Sequence, residues 1–229
     1  MHQIDIRGVI VPDDEAWIYD WFGIAATAPQ SVRDALAKAN GESVTVLINS
    51  NGGDVMAGCE IYTILRDYSG HVLIKIQSFA ASAAAVIAAA AESEMSPVGQ
   101  LMIHNVSSRV EGDHRAMEHS AEVLQNANRA LAAAFVQKTG KTEAEILDMM
   151  AKETWLTAED AVKHGFVDRV MFQESQTVGK PVQLAANFGS GLLPFNVIEY
   201  ARKHFNNQTA RANAQAQYDY LVLEGKAKC

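Results

Sequence analysis

The sequence predicts an α/β fold, with helices layered on a mainly parallel sheet joined by right-handed crossovers. Three observations predict it. Short β-branched runs alternate with runs of helical period along most of the chain. One of them, SVTVLINS (43–50), is apolar at nearly every position, the pattern of a strand covered on both faces. The helical runs also carry end signals, with Pro or Thr at their starts and Gly at their ends.

Each element follows in order. IDIRGVIV reads as the first strand, rich in β-branched residues. APQSVRDALAKANG is a helix, opened by Pro29 and closed by Gly41. SVTVLINS is the buried strand. After NGGD, apolar residues at Val55, Cys59, Tyr62 and Leu65 keep a helical period that ends at Gly70. HVLIKIQS is a strand. The Ala-rich run that follows is a helix by propensity, from Ser82 to about Ala91. GQLMIHNV is a strand, and a long helix covers 113–138. TEAEILDMMAK and TAEDAVKHG are short helices, each with Thr as N-cap, and FVDRVMF is the last strand.

The 229 residues divide into a domain over 1–176 and a tail over 177–229. The tail begins with Gly and Pro breaks in GKPVQLAANFGSGLLPFN and continues as a polar stretch, helical or partly ordered, with no continuous apolar face. A net charge of −8 and the lack of any Lys/Arg cluster argue against nucleic acid as a partner. Two cysteines, Cys59 and Cys229, form no disulfide framework, which fits a reducing cytoplasm. The start MHQIDIRGVIV lacks a basic region and a cleavage site, so no signal peptide is expected. The Ala-rich run is too short and too weakly apolar to span a bilayer, so no membrane association is expected.

Between Phe79 and Ala91 the lone polar side chain is Ser82. It follows a strand and opens a helix, where unpartnered N–H groups and the helix dipole favour a developing negative charge. The Ala83 N–H is a ready oxyanion donor, and the small neighbours let a peptide backbone approach. In INSNGGDV a strand runs into Asn51-Gly52-Gly53. Two residues without Cβ let a ligand come close, and the Gly53 N–H makes a second donor. His104 ends the strand after the Ala-rich run. A helix from Ser82 travels ~15 Å and the strand returns ~17 Å, which sets the imidazole level with the hydroxyl as a general base. An orienting carboxylate has four candidates, Asp148, Glu153, Asp160 and Asp168. Asp160 reads as the capping partner of Thr157, whereas Glu153 lies in a short segment anchored by Trp155 and Leu156. His114 and His119, five apart, do not share a helical face as a metal pair would. With no P-loop, GxGxxG or HExxH motif, neither cofactor nor metal is expected.

INSNGGDVMAGCEIYTIL, SFAASAAAVIAAA, MIHNV and ETWLTAEDAVKHGFVD resemble, in this order, the motifs of ClpP-type serine peptidases. The look is nearest to the phage and prophage head maturation branch, and the resemblance covers residues 3–172. It implies the ClpP/crotonase-like β/α spiral with a protruding helical arm, here the helix at 113–138. It implies a serine endopeptidase with catalytic Ser82, His104 and Glu153 and oxyanion donors Gly53 and Ala83. Glu153 stands where the cellular enzymes carry aspartate, and Asn51 stands where the pattern has proline. The resemblance also brings a ring-shaped homo-oligomer, protein or peptide substrates such as capsid or scaffold proteins, and an AAA+ unfoldase as a partner; the hydrolytic core itself needs no ATP. Two other readings share the fold: a catalytically silent ring or scaffold protein, and a crotonase-like acyl-CoA enzyme, which needs no Ser–His pair. A Ser–Lys peptidase would need a lysine in a matching motif, and neither Lys75 nor Lys152 lies in one.

Overall fold

Rows of apolar residues across three strands set the centre of the molecule, a computed structural model that describes residues 2–172 and 193–204. The elements in chain order are β1 (His2–Ile10), α1 (Ala16–Trp21), β2 (Ala26–Thr27), α2 (Pro29–Ala39), β3 (Val44–Gly53), α3 (Val55–Asp67), β4 (Val72–Ala81) and α4 (Ala83–Ala88). Then come β5 (Glu92–Met95), β6 (Gln100–Ile103), α5 (His114–Thr139), α6 (Glu143–Ala151), β7 (Thr154–Thr157), α7 (Ala158–Lys163), β8 (Arg169–Val170) and α8 (Phe195–His204). The sheet order is β2-β1-β3-β4-β5-β8, all parallel, while β6 pairs parallel with the far end of β4 and antiparallel with β7. The α/β fold expected from the alternation is the one observed.

The register explains the core. Ile6 pairs with Ile48, Ile48 with Ile76 and Ile76 with Met95, and all four are fully buried. Successive side chains on a strand alternate between faces, so Ile4, Val46 and Ile74 make a parallel row beside them. Burying each isoleucine stabilises the fold by ~1.5–3 kcal/mol. The opposite face carries Thr45, Leu47 and Lys75, which are only half-buried. SVTVLINS is therefore covered fully on one face rather than on both.

The Ala-rich run divides into three elements. Phe79–Ala81 continue β4 because they pair with β6, so tertiary pairing overrides alanine's helix propensity. Only Ala83–Ala88 are helical, and every one is buried, as expected of a helix that is apolar all round. Glu92–Met95 form β5, with Ser93 and Met95 fully buried between outward Glu92 and half-buried Glu94. Residues 12–27, to which the sequence reading assigns no element, hold α1 and β2, and FVDRVMF contributes only two strand residues.

α5 starts at its Asp113 cap, whose carboxylate accepts from the Ala116 N–H, and stops at left-handed Gly140. No residue from 114 to 130 is buried, whereas Leu131, Ala132, Ala134 and Phe135 pack into the core. Thr142 and Thr157 cap α6 and α7 as their sequences predict. At the other end, Ile198 and Ala201 of α8 bury against Val9, Val11, Ile18 and Tyr19. Arg202 pairs with Asp14 at 2.5 Å and Glu15 at 3.1 Å. Burial pushes the Glu15 carboxyl above its usual range despite that guanidinium. The boundary at 176 and the tail after residue 204 lie outside the described residues.

Candidate active site

Ser82 sits where β4 ends and α4 begins, at φ 56° and ψ −123°, a backbone region that a residue with a side chain seldom adopts. The turn is held from several sides. The Ser82 N–H donates to the Met102 carbonyl of β6 at 2.9 Å, and the Ser82 carbonyl accepts from Ala85 and Val86. At the start of α4 the Ala83 and Ala84 N–H groups have no carbonyl of their own helix to bond. Gly58 of α3 packs under the turn, where a Cβ would come 2.8 Å from the Ala83 Cβ.

The Gly52-Gly53 turn closes on the same point. A Cβ on Gly52 (φ +90°) would lie 2.6 Å from the Ala81 carbonyl oxygen and 2.8 Å from the Ser82 Cβ. The Gly52 N–H donates to Ser50 Oγ at 3.0 Å, and that hydroxyl donates to the Gly8 carbonyl at 2.6 Å. The Asp54 N–H donates to the Ile10 carbonyl, and its carboxylate caps α3 at the Ala57 N–H.

His104 follows the last residue of β6 and is half-buried. Its Nε2 lies 2.8 Å from Ser82 Oγ. The two residues share a cavity of ≈ 390 Å³ with Asn51 and Gly53, and its apolar wall includes Phe79, Met102, Leu131 and Phe135. That wall was not read from the sequence. The signal for it is the alternation within QLMIH and SFAA, which puts Met102 and His104 on one face and Phe79 two positions from Ala81.

Of the four acids left open by the sequence, three are occupied elsewhere. Asp148 pairs with Lys152, Asp160 accepts from the Thr157 hydroxyl, and Asp168 takes the Ser93 N–H and Lys138. Glu153 lies in the turn between α6 and β7, exposed, at φ 51°. Ile103–Thr154 is the last pair of the ribbon, so the Glu153 turn adjoins the end of β6 that His104 follows. Its Oε1 accepts from the Trp155 indole N–H at 3.1 Å, and among the described residues no hydrogen bond joins it to the imidazole. Among the described residues no group of three His, Cys, Asp or Glu is placed to hold a metal ion. Burial, and then Asp54, push the thiol pKa of the free Cys59 up, which disfavours its thiolate.

A mainly parallel sheet whose central strand β4 leads into a strained serine, with the histidine that follows the paired strand β6 against it, defines an α/β protein with the parts of a serine hydrolase. The chain belongs to the Clp protease family, whose model matches residues 31–174. It is similar to ATP-dependent Clp protease proteolytic subunit 1 of Streptomyces avermitilis, 32% identical over 131 residues that make up 56% of this chain and 60% of that subunit. It is also similar to proteolytic subunit 2 of Pseudomonas aeruginosa, 28% identical over 62% of this chain and 72% of that one. A ClpP1 point mutant from Listeria monocytogenes superposes with a TM-score of 0.61 at 20% identity, covering 76% of this chain and 92% of the other; this likeness carries the fold.

Proposed function

We propose that this protein is a serine endopeptidase that cleaves peptide bonds through an acyl-enzyme. The observation that carries the reading is the 2.8 Å contact between Ser82 Oγ and His104 Nε2 inside a cavity that Gly53 also lines. Ser82 attacks the scissile carbonyl while His104 takes the hydroxyl proton. The oxyanion sits against the N–H groups of Gly53 and Ala83. Gly53 lines the same cavity as Ser82 and His104, which supports its N–H as one of the two donors. His104 then protonates the leaving amine, and water, deprotonated by the same imidazole, resolves the ester. Glu153 is the third group of this reading. Ser82→Ala is expected to abolish labelling by a fluorophosphonate and to lower turnover by a factor on the order of 10⁶. Labelling that persists in this variant would place the nucleophile elsewhere.

The protein works as a homo-oligomer, with the exposed part of α5 as the assembling arm. Met117 and Val123 are exposed there, at 44% and 51%, on a helix stretch, 114–130, in which no residue is buried among the described residues. Native mass measurement is expected to give a multiple of the 24.8 kDa chain, and a monomer at micromolar concentration would remove this part of the reading. The relatives are named as ATP-dependent subunits, which supports an ATP-driven partner. Cleavage of phage capsid or scaffold proteins rests on motif resemblance alone, as the relatives named above are cellular Clp subunits. Among the described residues no helix is long and apolar enough to cross a membrane, and a free Cys59 agrees with a cytoplasmic site of action.

A further inference from the structure

We propose that Trp155 is a positioning residue: its indole N–H tethers the Glu153 carboxylate beside His104, so that the carboxylate can orient the imidazole. The proposal rests on the peptidase reading above and adds a residue to it.

Four observations carry it. First, the indole Nε1 donates to Glu153 Oε1 at 3.1 Å, which uses one carboxylate oxygen and leaves Oε2. Second, Met102 pairs with Trp155 and Ile103 with Thr154, so the tether runs along the edge of the ribbon that carries His104. Third, the Met150 carbonyl accepts from the N–H of both Glu153 (3.1 Å) and Asn105 (3.2 Å), which fastens the acid's turn to the residue after His104. Fourth, the Trp155 ring packs on Phe79 with centroids 5.7 Å apart, and Phe79 lines the cavity three residues before Ser82. The indole thus spans from the strand of the nucleophile to the turn of the acid.

The physical need for a tether follows from the side chain. Glutamate has one more rotatable bond than aspartate, and an exposed carboxylate on it samples many positions. Glu153 also holds a left-handed backbone, which aims the side chain but does not fix its end. With Oε1 anchored on the indole, rotation of the carboxylate about that anchor is the freedom that remains, and Oε2 is the atom left to serve the imidazole.

The test uses the full chain in four forms: the parent, Trp155→Phe, Glu153→Gln and the double variant. Trp155→Phe keeps an aromatic ring beside Phe79 and removes the N–H together with part of the ring, so the double variant separates the loss of the hydrogen bond from the loss of packing. We expect it to slow fluorophosphonate labelling roughly tenfold, the worth of one hydrogen bond to a charged group. Glu153→Gln is expected to slow it at least as much, and the double variant no further than Glu153→Gln alone. The same factor in both backgrounds would make Trp155 a packing residue and overturn the proposal. A second readout is the indole N–H signal of ¹⁵N-tryptophan-labelled protein, assigned by its loss in Trp155→Phe. It is expected to shift in Glu153→Gln, and an unmoved signal would also overturn the tether. If the parent itself resists labelling, the peptidase reading fails, while the indole signal still decides whether the tether exists.

Discussion

Ser82 and Glu153 both hold a positive φ, 56° and 51°, yet the chain around them differs. The Ser82 turn lies between buried strands, with Ala83 and Ala84 behind it and the glycines of two other elements pressed against it. The Glu153 turn lies at the exposed end of a two-stranded antiparallel pair, and a single indole holds its carboxylate. Strain on the first turn is over-determined by packing, so geometry there is fixed whether or not a substrate is bound. The second turn is held by hydrogen bonds rather than by packing: the Met150 carbonyl accepts from Glu153 and Asn105, the Thr154 hydroxyl donates to the Met149 carbonyl, and the indole holds the exposed carboxylate. The proposed nucleophile and base sit at the ends of two paired strands, and the proposed acid is attached to the sheet's margin.

The comparison is broken or sharpened by substituting one residue in each turn. Gly52→Ala should have the larger effect. The added methyl meets the Ala81 carbonyl and the Ser82 Cβ, at a residue whose φ of +90° already excludes most side chains. A cost of ~2–4 kcal/mol follows, which lowers Tm by roughly 5–15 °C in a chain of this size. Displacing Ser82 by about 1 Å should cost a further 10²-fold in turnover. Glu153→Gln, measured by calorimetry, should leave Tm within about 1 °C, since an exposed carboxylate contributes little to stability. A Gly52→Ala protein with unchanged Tm, or a Glu153→Gln protein that unfolds early, would reverse the contrast.

The same contrast governs how much was legible in the sequence. Ser82, His104 and the two glycines announce themselves, because a lone hydroxyl among alanines and an Asn-Gly-Gly between strand and helix are local signals. The chain arithmetic that returned His104 to the level of Ser82 used a helix up to Ala91. The actual route is a six-residue helix, a turn and the extra strand β5, and it ends with the two side chains 2.8 Å apart. β5 was hidden because ESEM buries a serine and a methionine behind two glutamates, and its pattern only makes sense once β4 and β8 flank it. The Trp155–Glu153 bond was hidden for another reason. Pairing with β6 makes TWLT a strand that starts directly after the Glu153 turn, and that pairing is not visible in the segment by itself.

The smallest expected effect tests whether the sheet's far edge is independent of the chemistry. Asp168 ties that edge to the end of α5, taking the Ser93 N–H at 2.7 Å and the Lys138 ammonium at 2.5 Å. Burial alone would raise its pKa, but the hydrogen bonds from Lys138 and Ser93 outweigh it and hold the carboxyl below the usual aspartate value. A folded-state value below the unfolded one means that the clamp stabilises the protein above the unfolded pKa. Its contribution is lost as the pH falls through the lower, folded one. Asp168→Asn should therefore lower Tm at pH 7 by about 2–4 °C, the equivalent of ~1 kcal/mol after allowance for a half-exposed pair. The gap between variant and parent should start to close as the pH falls below about 4, where the unfolded chain's carboxyl protonates, and should vanish once the folded carboxyl protonates at lower pH. Turnover at pH 7 should stay within about twofold of the parent, since Asp168 touches neither Ser82 nor His104. A large loss of turnover with an unchanged Tm would show that the far edge reaches into the site through β5 and β4, and that the nucleophile turn is less self-contained than its packing implies.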